Sequence, residues 1–184
     1  MSRRAEIDLD NLTPEQQKAA DDIVGGPRGS IRGPFVPWLN SPELAGRAQR
    51  LGEFARYHTS LPERLKELAI LVTARHWAAQ FEWWAHAPLA IDAGLAESVV
   101  AAIADHQTPD FVAEDEAAIY AFCSELYTNR RVSDATYRAV AAHVGDKGAV
   151  ELVGVLGYYA LVSMTLNVFE VEVPGGDPLS LPDA

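Results

Sequence analysis

Only one cysteine, Cys123, occurs in the 184 residues. That excludes an intramolecular disulfide, a CxxC redox pair and a cysteine-rich zinc site. Basic residues are also scarce, 15 against 26 acidic ones, for a formal net charge of −11. Such a balance argues against nucleic acid and against an anionic lipid surface as partners. No apolar stretch reads as an uninterrupted transmembrane span, and Met1 to Asp8 lack the apolar run of a signal peptide. A soluble cytoplasmic protein is the expectation. A His-Glu-x-x-His pattern is missing, and His58, His106 and His143 have no partner at metal-ligand spacing. Neither a metal nor a cofactor is therefore expected.

What is present is ordinary for a globular protein: 48% hydrophobic and 22% charged residues. The length suits a single domain spanning 1–184, with an irregular segment over about 1–40 and a Pro-rich acidic tail over 174–184, expected to be loosely held. Helix starts recur at Thr13-Pro14-Glu15-Gln16, Ser41-Pro42-Glu43, Leu61-Pro62-Glu63 and Ser133-Asp134. Between Ile23 and Asn40 a Gly/Pro-rich stretch has no helical period and no Gly-Lys-Ser/Thr, so it reads as a crossing loop and not a phosphate loop. Helices are expected over Glu63–Ala79, Glu82–Ala93, Leu95–Ala104, Ala117–Tyr127, Asp134–Val144 and Gly148–Phe169. A break is expected at Ala79-Gln80-Phe81, and Pro88 should kink the helix just past His86. The last helix is apolar nearly all round, so it must be covered by the core or by another subunit. The fold class expected is all-α.

The chemistry concentrates between Glu67 and His86. Two carboxylates, Glu67 and Glu82, and the His86 imidazole stand on apolar helical ground, where ionisable groups are costly to bury. Glu82 and His86 are four apart and share a helix face. A carboxylate so placed can orient the ring and raise its basicity, and the ring titrates near neutral pH. The bland reading makes Glu82 a helix-start acid, His86 a core histidine, and Glu67 a partner of Arg64 or Arg75. Arg75 is also a candidate carboxylate anchor, because its fork matches a carboxylate. His76 is the competing imidazole. Trp83 and Trp84 pack, one of them walling a cavity; Trp38 and Phe35 fill the core or close over the site. Tyr158 and Tyr159 pack, with one hydroxyl as a candidate to reach the cavity.

The segments Pro62-Glu63-Arg64-Leu65-Lys66-Glu67-Leu68, Glu82-Trp83-Trp84-Ala85-His86 and Asp92-Ala93-Gly94-Leu95 resemble the carboxymuconolactone decarboxylase family, within the alkylhydroperoxidase D-like superfamily. The resemblance extends over about Phe35 to Val173. In the peroxidase branch a Glu, a CxxC pair and a His form a proton relay. Glu67 and His86 match its Glu and His, but Ala79 and Glu82 stand at the cysteine positions. A thiol peroxidase cycle is therefore excluded at this site. The resemblance implies an all-α, AhpD-like helical hairpin with flanking helices and a small cavity near a subunit interface. It also implies a homo-oligomer (trimer, hexamer or dimer) and a lyase of aromatic catabolism, a cofactor-free decarboxylase or isomerase acting by proton transfer on a small cyclic or lactone carboxylate. In that reading His86, Glu82 and Glu67 are catalytic, and Arg75, Trp83 and Trp38 bind substrate. The alternatives are a non-catalytic oligomeric binder of a small acid and, last, a peroxidase working through Cys123.

Overall fold

The computed structural model describes residues 7–176 and Leu181. The described residues form helices and no strands, in the order α1 (Pro14–Val24), α2 (Phe35–Trp38), α3 (Pro42–Glu53), α4 (Glu63–His76), α5 (Gln80–Asp92), α6 (Glu97–Ala104), α7 (Glu114–Asn129) and α8 (Asp134–Val168). A π-helical turn, Phe54–His58, continues α3, and a short 3₁₀ turn, Pro174–Gly176, follows α8. The Thr13 capping box forms as its sequence dictates, with Pro14 opening α1. Ser133 likewise accepts from the Thr136 amide at 3.2 Å, whereas Ser41 makes no side-chain cap.

The centre of the molecule is α4. Every residue from Leu65 to Arg75 is buried, so this helix is enclosed on all sides and lacks the solvent stripe of an ordinary amphipathic helix. It packs against α5, α7 and α8. The α4–α5 hairpin turns at Trp77 to Ala79, where Ala78 adopts φ 48° and the Ala79 amide reaches back to the Ala74 carbonyl at 2.9 Å. The break thus comes two residues earlier than expected, and α5 opens at Gln80. That helix also continues through Pro88 to Asp92. The proline removes one donor without ending the helix, which packs along α4. Gly94, at φ 98°, takes the left-handed position just beyond α5.

The expected junction after Val144 is real. Gly145, at φ 69° and ψ 174°, interrupts α8 and divides it into two helical parts. An 18-residue window of α8 has mean hydropathy 1.6, so by length and composition this element does reach membrane-span size, contrary to the sequence reading. In this fold 61% of the window is buried, the expected condition of a core helix. Its remaining face is partly bare: Val150, Val153, Met164 and Val168 are exposed. Of the tail, Leu181 is buried and its carbonyl accepts from Gln80 at 2.9 Å, so that residue is held; 177–180 and 182–184 lie outside the described residues, as do 1–6.

Candidate active site

Three elements bring the ionisable groups together. Glu67 comes from α4, and Glu82 and His86 come from successive turns of α5. The side chains are nearly inaccessible, at 1%, 4% and 2% exposure respectively. His86 Nδ1 lies 2.6 Å from Glu67 Oε2, and Nε2 lies 3.0 Å from Glu82 Oε1. The imidazole is held at both nitrogens between two carboxylates. Arg64 does not compete for Glu67; it pairs with Asp115 at 2.7 Å and with Glu116.

The third element is the π-helical turn. Its Arg56 places Nη1 3.1 Å from His86 Nε2. Nε2 therefore has two neighbours that it cannot satisfy in the same state. Protonated, it donates to Glu82; deprotonated, its lone pair accepts from Arg56. Burial works against the charged ring, but the Glu82 carboxylate and the hydrogen bonds to Glu67 and Glu82 outweigh it and raise the pKa to about 9. The two carboxylates thus favour the imidazolium. Arg56 is in turn anchored, because its own carbonyl accepts from the buried Lys66 ammonium, which also pairs with Glu63 at 2.6 Å.

Glu82, His86 and Arg56 line a cavity of about 380 Å³, at the small end of ligand pockets. Phe35, Phe81, Trp84 and Tyr158 supply much of its apolar wall. Phe81 and Trp84 lie with ring centroids 5.5 Å apart. Tyr159 meets the His86 ring edge-on at 5.0 Å. Its hydroxyl is buried and has no hydrogen-bond partner, although the Arg56 guanidinium is close enough to act on it. Burial pushes that phenol well above its usual range, so it remains a neutral donor.

Arg75, Trp83 and Trp38 are not among the residues lining this cavity, which corrects their expected roles in binding substrate there. Arg75 is buried on α4 with Nε and Nη1 unpartnered, and the charge acting on it is Asp105. Trp83 borders a separate depression with Val100 and Asp105. One helical position decides this: its neighbour Trp84 faces the cavity. Trp38 is core, its indole donating to Thr165 at 3.0 Å. His76 stacks on Tyr127 with centroids 4.3 Å apart, outside the cavity lining. Cys123 is fully buried, and burial pushes its thiol up, which makes it a poor nucleophile.

Arg56, Arg28 and Arg32 are charged cavity residues to which sequence reading assigned no site role. Arg56 is separated from His86 by 30 positions and sits on a turn with no motif. Arg28 and Arg32 had a usable signal: two cations in a Gly/Pro loop of an acidic chain.

No family model matches this sequence, and no curated protein matches it. Among solved structures, the apo form of the debrominase Bmp8 superposes with a TM-score of 0.68 at 15% identity. The match covers 89% of this chain and 88% of that one. At that identity the likeness speaks to architecture: the chain has an all-α, AhpD-like helical fold.

Proposed function

We propose that this chain is a cofactor-free decarboxylase or isomerase of the carboxymuconolactone decarboxylase type, working by proton transfer on a small cyclic or lactone carboxylate. The observation that carries the reading is the His86 imidazole clamped between Glu67 and Glu82 at the wall of a small, largely aromatic cavity. In decarboxylation the bond from the ring carbon to the carboxylate breaks and CO₂ leaves. The electron pair stays on the substrate as a dienolate. His86 Nε2–H then delivers its proton to carbon, and the lone pair left on Nε2 accepts from Arg56. Water restores the proton. Glu67 fixes the ring through Nδ1 and, with Glu82, keeps it charged until transfer. Arg56 and the Tyr159 hydroxyl are placed to stabilise developing negative charge.

A cytoplasmic homo-oligomer belongs to the same proposal, and the bare apolar face of α8 supports self-association. The test is CO₂ release and product formation from 4-carboxymuconolactone, with wild type beside His86→Gln. A positioned acid supplies about 10² to 10⁴ in rate, so the variant should lose roughly that much while keeping its far-UV circular dichroism. A fully active, folded His86→Gln protein overturns the role of His86. Ligand protection against unfolding without turnover in wild type favours a binding protein instead.

A further inference from the structure

Three arginines line one small cavity in a chain of net charge −11. Together with the His86 imidazolium they face the Glu82 carboxylate at the wall and Glu67 behind it. The cavity is therefore a cationic enclosure within an acidic protein. Arg56 stands at the proton-transfer site, its Nη1 3.1 Å from His86 Nε2. Arg28 and Arg32, from the loop before α2, have no carboxylate within ion-pair distance among the described residues. Arg28 Nε is buried without a hydrogen-bond partner. Its Nη2 meets the Tyr158 hydroxyl at 3.3 Å, and the guanidinium lies 4.8 Å from the Phe35 ring centroid.

The fold makes room for this arrangement. A Cβ at Gly52 of α3 would collide with Tyr158 and lie 2.7 Å from Arg28 Nη2. Gly33, at φ +61°, brings the same loop against Phe81, 2.9 Å from where its Cβ would be. Both glycines serve close approach to the cavity wall. Tyr159, 2% exposed, also lines the cavity, with the Arg56 guanidinium beside its hydroxyl.

We infer that Arg28, assisted by Arg32, forms a carboxylate-binding subsite of this cavity, anchoring a carboxylate that the reaction retains on a small cyclic acid whose ring lies among Phe35, Phe81 and Trp84. This assignment rests on the proposed substrate class and gives to Arg28 the anchoring role that the sequence assigned to Arg75. A guanidinium already braced on one aromatic face presents a planar fork to a carboxylate with little further ordering. An uncharged isostere would leave that buried donor without a charged partner.

Calorimetric titration of the full chain with cyclohexanecarboxylate, beside cyclohexanecarboxamide, tests the assignment. The carboxylate should bind and the carboxamide should bind at least tenfold more weakly. Arg28→Gln should weaken the carboxylate by about tenfold or more, Arg28→Lys by less, and Arg32→Gln, at an exposed side chain, by a smaller factor again. Arg47→Gln, an exposed arginine of α3 outside the cavity lining, should retain binding, which separates this subsite from a general loss of positive charge. Equal binding of acid and amide, no binding of the acid, or unchanged affinity in folded Arg28→Gln overturns it. Carboxylate binding lost in Arg28→Gln and kept in Arg47→Gln, with no turnover of 4-carboxymuconolactone, would uphold the subsite and remove 4-carboxymuconolactone as the substrate.

Discussion

At the scale of single residues, the site depends on mutual compensation of buried charge. Glu67 is 1% exposed, and without the His86 imidazole it would be a carboxylate removed from water that has lost its hydrogen-bonded partner. Glu67→Leu removes the Nδ1 acceptor and should destabilise the protein by about 3 kcal/mol, as expected for breaking a buried pair. Glu67→Gln preserves the shape and an acceptor oxygen and should cost less. Urea denaturation midpoints of the two variants check this, and equal midpoints would contradict it. Glu82 and His86 were legible in the sequence because four positions on one helix is a local relation. The Glu67 contact required the α4–α5 hairpin, so spacing alone left Arg64 and Arg75 as rival partners. Arg56 was not legible as a site residue, because a π-helical turn without a motif brings it there from 30 positions away, while Arg28 offered only its charge in a Gly/Pro loop.

At the scale of elements, the helices followed from caps and apolar runs, while their junctions followed from tertiary packing. Gly94 stops α5 as its type suggests, and α5 runs through Pro88 to Asp92 while packed on α4. Trp83 and Trp84 show the limit of periodicity: adjacent residues face different depressions, and a shift of one position decides which ring walls the cavity. Gly145 is where backbone conformation is most exacting. Its φ of 69° with ψ 174° lies in a region open essentially to glycine. Gly145→Ala meets no steric contact within 4 Å, so its cost should be backbone strain alone, about 1–3 kcal/mol. Thermal unfolding should show a clear fall in Tm, whereas Gly46→Ala, at an open helical position in α3, should not lower it. An unchanged Tm for Gly145→Ala would show that the two parts of α8 do not need this junction.

At the scale of the whole molecule, the fold places one enclosed cation, an imidazolium, against two carboxylates from adjoining helices. Because the folded pKa of His86 is raised above 6.5 to about 9, its contribution to stability is complete below about pH 6.5. That contribution is lost as pH rises through about 9. The same shift keeps a proton at the cavity wall across the neutral range, which is what an acid delivering a proton to carbon requires. The most direct measurement is the ¹⁵N imidazole spectrum of His86 in the folded wild type, followed from pH 5 to 10 and assigned by comparison with His86→Gln. Both nitrogens should stay protonated at pH 7 and the ring should titrate near 9, with Nε2 losing its proton first. A ring already neutral at pH 7, titrating at or below 6.5, would contradict the account.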